Sequence, residues 1–123
     1  MHERVEPAEH LPLTVPVYQI LLSVADESLH GYAIIKDIEE RTEGEVRLTA
    51  STLYAAIKRL VSSGMLEETD TRPPGDDDPR RRYYCISGYG IEVLTKEAQR
   101  LDRAADMARR KKVLPELAAR KSR

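Results

Sequence analysis

Two groups of side chains in this sequence have types and spacing suited to holding a polyanion. The first lies within residues 49–62. Leu53, Ile57, Leu60 and Val61 recur at helical spacing, so turning them inward leaves Ser51, Thr52, Tyr54, Ala55, Lys58, Arg59 and Ser62 on or near the outer face. Serine and threonine hydroxyls serve a base edge or a phosphate. Lys58 and Arg59 suit phosphates, and Tyr54 offers a hydroxyl to phosphate and a ring to a sugar or a thymine methyl. Free N–H groups at the helix start near Ser51 also suit a phosphate. The second group is Arg80-Arg81-Arg82, three guanidiniums at the entry to an alternating segment. Such residues neutralise backbone phosphates. The plainer readings are a solvated helix face and an edge strand guarded by charge.

Other chemistries find little support. Asp76-Asp77-Asp78 lacks the alternating acids and the closing Glu of a calcium loop. No Ser/His/Asp set, phosphate-cradling glycine loop or metal-bearing His pair is present, and no cofactor is expected. His2, His10 and His30 lack ligand spacing, and His30 beside Gly31 reads as a turn or capping residue. Cys85 is the single cysteine, so no disulfide framework can form within one chain. No apolar run has the length of a membrane span. The polar, acidic start MHERVEPAEH does not read as a secretory signal, leaving the cytoplasm as the expected compartment.

The 123 residues suffice for one core, which must be built from Leu, Ile, Val, Ala and a few Tyr because Trp and Phe are absent. The net charge is −1, but its distribution is uneven. Residues 1–45 carry ten acids against three bases, and residues 65–79 carry six acids against Arg72. Basic charge gathers in residues 46–64, in Arg80–Arg82 and in residues 109–123, which hold seven bases against one acid.

The elements that must position these groups follow from periodicity and punctuation. Residues 1–12, with two prolines and mixed charge, read as a flexible arm. A first helix starts near Thr14 with Pro16 in its first turn. Val17, Ile20, Leu21 and Val24 form one apolar face and Tyr18, Leu22 and Ala25 a second, which suggests cover by another subunit. A second helix runs from about Gly31 to Thr42, capped by Ser28 or His30, with Tyr32, Ile35 and Ile38 inward and Ile34 alongside. Gly44 suits the left-handed residue of a helix end. Val46, Arg47 and Leu48 alternate and predict a short strand. Thr49 caps the third helix and Gly64 ends it, with Met65 and Leu66 folding back. Leu66 to Asp70 and Arg82 to Ile86 read as two strands around a loop tip at Arg72–Pro79, with Tyr84 and Ile86 facing in. The acidic trio in that loop either points away from a polyanion or pairs with the arginines. Ser87 caps a fourth helix in which Ile91, Leu94, Ala98, Leu101, Ala105 and Ala108 keep heptad spacing, a seam for a partner helix, until Pro115.

The expected fold is therefore mainly α with a small antiparallel β hairpin: a winged helix-turn-helix followed by a C-terminal dimerisation helix. The expected divisions are a flexible arm (1–12), the winged helix-turn-helix (13–87), the dimerisation helix (88–114) and a basic tail (115–123). Ser51, Thr52, Tyr54, Lys58, Arg59, Arg80, Arg81 and Arg82 are the candidate DNA contacts. Val17, Tyr18, Leu22, Ile91, Leu94, Ala98, Leu101, Ala105 and Ala108 are the candidate dimer contacts. The expected function is sequence-specific binding of a pseudo-palindromic duplex by a homodimer. The partners are double-stranded DNA and a second copy, with an unknown small-molecule effector admitted and no membrane. The alternative is a winged-helix protein-interaction module without a DNA target, which the acidic first third and acidic loop favour.

Several motifs, in order, resemble the PadR family of bacterial transcriptional regulators. They are His30-Gly31-Tyr32 before a helix, Thr52-Leu53-Tyr54-Ala-Ala-Ile57-Lys58-Arg59-Leu60 in the next, Gly64 closing it, and Arg81-Arg82-Tyr83-Tyr84-x-Ile86-Ser87-x-x-Gly90 after the loop. The resemblance covers roughly residues 11–108. It implies a winged helix-turn-helix repressor acting as a homodimer through its C-terminal and first helices, with Ser51, Thr52, Tyr54 and Lys58 on the recognition helix and Arg80–Arg82 flanking the wing. Ser51 stands where many members have Gly, and Ser87 where many have Thr. Some members respond to flat aromatic compounds, for which this chain has no Trp or Phe to form a sandwich.

Overall fold

The computed structural model describes residues 5–117. Helix α1 (Val15–Ser23) opens on Thr14, whose Oγ1 accepts the Val17 N–H at 3.3 Å, with proline in the first turn where a missing N–H costs nothing. Strand β1 (Leu29–His30) leads directly into α2 (Gly31–Arg41). The N-cap of α2 is His30, whose Nδ1 accepts the Ala33 N–H at 3.3 Å; of the two candidates, the imidazole rather than Ser28 takes that place. Helix α3 (Ala50–Ser62), strands β2 (Leu66–Thr69) and β3 (Tyr83–Ile86), and helix α4 (Gly88–Arg110) complete the chain.

The three strands form an antiparallel sheet in the order β1-β3-β2, with Leu66 opposite Ile86, Glu68 opposite Tyr84, and His30 opposite Tyr83. The third strand is Leu29–His30, not the Val46–Leu48 segment expected from its alternation; no strand is assigned over 46–48. The Val46 N–H is instead taken by Thr42 Oγ1 at 3.0 Å, so this stretch serves the end of α2 and not a ladder.

The core gathers Ile20, Leu21 and Val24 of α1, Ile34 and Ile38 of α2, Leu53, Ala56, Ile57 and Leu60 of α3, then Met65, Leu66, Tyr84, Val93 and Leu94. Three expectations about inward faces are corrected. Tyr32 is 65% exposed, because Ile34 and Ile38 set the buried stripe of α2. Val61 is exposed, its place being taken by Ala56. Leu94 is buried in its own chain's core, so it is not available to a partner seam.

Helix α3 closes with the two hydrogen bonds of a Schellman motif, Met65 N–H to Leu60 O at 2.9 Å and Gly64 N–H to Val61 O at 3.0 Å, with Gly64 at φ +83° in the left-handed region that such a turn requires. This reversal aims β2 back along the helix. Strand β3 then hands over to α4 through Ser87, whose Oγ accepts the Gly90 N–H at 2.9 Å.

The segment expected to be a flexible arm departs from that reading over its described part. Pro7–His10 forms a 3-10 turn with Pro7 buried. His10 Nε2 lies 2.7 Å from the Tyr89 hydroxyl, which donates to the Val5 carbonyl at 2.5 Å. Glu97, itself buried, accepts the Leu13 N–H at 2.9 Å and pairs with Arg100 at 2.5 Å. These polar ties fasten the N-terminal segment along α4, which a reading of prolines and charge alone does not anticipate. Part of the basic tail expected over 115–123 lies outside the described residues.

Candidate nucleic-acid interface

The outer face of α3 is built as its periodicity dictates. At 100° per residue, Ser51, Ala55, Lys58 and Ser62 fall within about 60° of one another, and all four are exposed. Tyr54 stands at one edge of this ridge and Arg59 and Thr52 at the other. The Thr49 Oγ1 caps the helix by accepting the Thr52 N–H at 3.1 Å and donates to Thr52 Oγ1 at 3.0 Å, so the Thr52 hydroxyl is engaged by the cap. Arg59 lines a separate groove with His10, Thr14, Ser63 and Met65, away from the wing.

On the Tyr54 edge, the structure brings together residues far apart in sequence. A groove of about 490 Å³ is lined by His30, Gly31, Tyr32, Tyr54, Arg80, Arg81, Arg82 and Tyr84. The start of α2, the edge of α3 and all three arginines thus share one concave surface. The Tyr54 ring lies over Gly31, where any Cβ would collide with its hydroxyl and ring carbons. Tyr32 projects from the first turn of α2, with the Lys36 ammonium 5.9 Å from its ring centroid. Gly31 and Tyr32 were not among the residues singled out as contacts. The signal that could have found them is their position at the very start of a helix, directly after the cap.

The wing loop resolves the role of the acidic residues. Arg80 Nε is 3.2 Å from Asp78, Arg81 Nη1 is 3.3 Å from Asp76, and Arg82 Nη1 is 3.3 Å from Glu68 across the hairpin. Of the two open readings of the trio, Asp76 and Asp78 pair with the arginines. The loop is anchored by Tyr83, whose ring is buried on the sheet face opposite Tyr84. It meets the His30 ring edge-on at 5.3 Å and the Arg72 guanidinium at 5.0 Å, and its hydroxyl donates to Asp76 Oδ2. Arg72 spans the loop, donating to the Asp78 carbonyl at 2.8 Å and the Arg81 carbonyl at 2.6 Å.

The titrating groups respond to this packing. Burial of Asp76 opposes its ionisation, but the Asp78 N–H and the Arg81 guanidinium outweigh it and hold the carboxyl below its ordinary value. Hydrogen bonds from the Arg80 side chain and backbone lower Asp78 likewise. Burial, reinforced by the Arg81 charge and opposed by Asp76, pushes His30 down, which suits an imidazole that must stay neutral to accept the Ala33 N–H. No cluster that could hold a metal occurs among the described residues, and no described helix is long and apolar enough to cross a membrane.

Known proteins are similar to this chain in sequence and architecture. The sequence profile of the transcriptional regulator PadR-like family matches residues 20–96. An uncharacterized 37.1 kDa protein of transposon TN4556 in Streptomyces fradiae is 34% identical over 84 residues, which are 68% of this chain and only 22% of that protein. Uncharacterized protein X of Lysinibacillus sphaericus is 30% identical over 79 residues, 63% of this chain and 69% of its own length. Among solved structures, a PadR family transcription regulator from Clostridium difficile superposes with a TM-score of 0.65 at 22% identity, covering 79% of this chain and 97% of that one. Bacillus subtilis PadR in complex with operator DNA superposes with a TM-score of 0.60 at 18% identity, covering 79% of this chain and 60% of that one. These likenesses show the fold to be that of PadR-like winged-helix regulators, mainly helical with a small antiparallel sheet. With a family match spanning more than half its length, the chain belongs to the PadR-like family of transcriptional regulators.

Proposed function

We propose that this regulator binds DNA sequence-specifically and represses transcription as a homodimer on a pseudo-palindromic operator. Helix α3 lies in the major groove, with Ser51, Ala55, Lys58 and Ser62 toward the bases and Arg80–Arg82 toward the backbone. The observation that carries this reading is the groove in which Tyr54, the start of α2 and the three arginines converge. Backbone contacts from two sides of α3 fix its register while its ridge reads base edges. Arg59 then serves a phosphate on the far side of the same helix.

The proposed dimer uses Val17, Tyr18 and Leu22 of α1 with Ile91, Ala98, Leu101, Ala105 and Ala108 of α4. Its support is that these side chains are exposed or only partly covered within one chain. A two-fold dimer places its half-sites about 34 Å apart or at a multiple of that spacing.

Selection of bound duplexes from a random pool, followed by a salt titration on the winner, tests the proposal. An inverted repeat is expected. With about six phosphate contacts, affinity falls on the order of 10³-fold between about 50 and 200 mM salt. A winner without two-fold symmetry, or affinity flat with salt, overturns the reading. A second reading, a protein-interaction module without a DNA target, draws on the pairing of all three wing arginines with carboxylates. It requires that no duplex be bound even at low salt.

A further inference from the structure

The three wing arginines differ in how firmly their carboxylate partners are held. Asp76 is built into the loop: its side chain is 8% exposed, its Oδ1 accepts the Asp78 N–H at 3.2 Å, and Tyr83 donates to its Oδ2. Asp78 and Glu68 are more open, with side chains 29% and 52% exposed, although Asp78 Oδ1 also accepts the Arg80 backbone N–H at 3.0 Å. Glu68 sits on β2 with half its side chain exposed, and its partner Arg82 is 70% exposed. Asp78 holds Arg80, whose side chain is 89% exposed. Ion pairs this open contribute little to stability and exchange partners readily.

We propose that Asp78 and Glu68 are internal competitors of DNA phosphate for Arg80 and Arg82, and that this competition sets the affinity and salt dependence of binding. The inference rests on the DNA-binding reading above. Arg81, tied to the fixed Asp76, exchanges last.

The physical consequence concerns counterions. An arginine that neutralises a phosphate releases condensed cation from the DNA, steepening the salt dependence by about 0.9 per phosphate. When that arginine must first leave a carboxylate, the freed carboxylate takes up cation from solution and offsets the release. The uncovered carboxylate also stands near the phosphates and repels them. The wild-type salt slope is therefore shallower than its count of phosphate contacts implies.

Asp78→Asn is a clean test because the amide oxygen still accepts the Arg80 N–H, which Asp78 Oδ1 now takes at 3.0 Å, and so preserves the turn. Glu68→Gln, on a regular strand outside the loop, is an independent second variant. Binding of the selected duplex is measured across salt for each variant, for their combination, and for Arg80→Ala/Arg82→Ala. The combined D78N/E68Q protein is expected to bind roughly three- to tenfold tighter at low salt, with a steeper slope, by at most about 0.9 for each arginine freed. E68Q alone moves in the same direction. Unchanged or weaker binding with an unchanged slope, while Arg80→Ala/Arg82→Ala loses affinity, overturns the competition and leaves the DNA-binding reading standing. If Arg80→Ala/Arg82→Ala binds like the wild type, the wing assignment fails and the competition with it.

Discussion

The ring of Tyr54 occupies the space that a side chain on Gly31 would need. The two residues belong to different helices, α3 and α2, and their contact forms the floor of the groove that the wing arginines line. The obstructing atoms are the far end of a half-exposed tyrosine, which can swing into solvent. Gly31→Ala therefore costs little stability, and it removes a conformationally costly glycine from a first helical turn. What it changes is where the Tyr54 hydroxyl sits. The expected result is a thermal unfolding midpoint within a few degrees of wild type, together with weaker binding to all duplexes. Unaltered DNA affinity would remove Tyr54 from the interface.

The same substitution at Gly90 should have the opposite outcome. A Cβ there would drive into the Met65 carbonyl and sit 2.8 Å from Ile86 Cγ1. The Met65 carbonyl is pinned by the Ser87 N–H at 3.0 Å, and the Ser87 hydroxyl holds the adjoining Gly64 carbonyl at 2.5 Å, so the Met65 carbonyl cannot retreat without disturbing the cap of α4. Gly90→Ala is expected to destabilise by about 2–3 kcal/mol, the upper range for overpacking, read as a lower denaturant midpoint. A loss under about 0.5 kcal/mol would show that the junction of β2 and α4 is softer than this packing implies.

Glu97 gives the fold an acid-sensitive tie. The Arg100 guanidinium lowers its pKa from the ordinary 4.5; burial opposes this, and the Leu13 N–H adds to the lowering. Its folded pKa lies below its unfolded one, so its contribution is full at pH values above 4.5 and is lost as pH falls through the lowered folded value. Glu97→Gln keeps an acceptor for the Leu13 N–H but loses the charge, so it flattens the acid side of the stability profile. Glu97→Ala also strands the Leu13 N–H and costs about 1–3 kcal/mol at neutral pH. Denaturant unfolding of the wild type and both variants, from neutral pH down through the carboxylate range, checks this; equal acid slopes in wild type and Glu97→Gln would refute it.

Much of the fold was legible because its boundaries are set by local chemistry. Thr14, Thr49 and Ser87 cap helices where their hydroxyls reach an N–H three residues on, and Gly64 ends α3 with a left-handed turn. The buried stripe of α3 came from period alone at Leu53, Ile57 and Leu60. Several of the misreadings depend on contacts distant in sequence. His30 pairs with Tyr83 as a strand, which no alternation in a two-residue segment can signal. Tyr83 is as buried as its neighbour Tyr84 because the wing loop folds over the second sheet face. Glu97 looks like an ordinary surface acid in a charged helix until Leu13 arrives beside it. Within the candidate interface, the residue types were readable on α3 and at the arginines. Their carboxylate partners and the part played by Gly31 and Tyr32 required the three-dimensional arrangement.

The sharpest test of the proposed dimer lies beyond Glu97. Deleting α4 is uninformative, because Val93 and Leu94 fill the core and their loss would unfold the chain. The residues of α4 buried in its own chain stop at Glu97, so 98–110 extends about 20 Å past the last of them. Along this projection Leu101 and Met107 are 39% and 50% exposed, and Ala98, Ala105 and Ala108 are half-covered, a small-residue seam open to a second helix. Leu101→Glu places a charge in that seam and touches no core residue. On the dimer reading it yields a monomer by sedimentation equilibrium where the wild type is a dimer, with helix content by circular dichroism preserved. Because each α3 would then bind its half-site alone, affinity for the full inverted repeat should drop to that for a single half-site. A Leu101→Glu protein that remains dimeric and keeps full affinity would move the interface off α4.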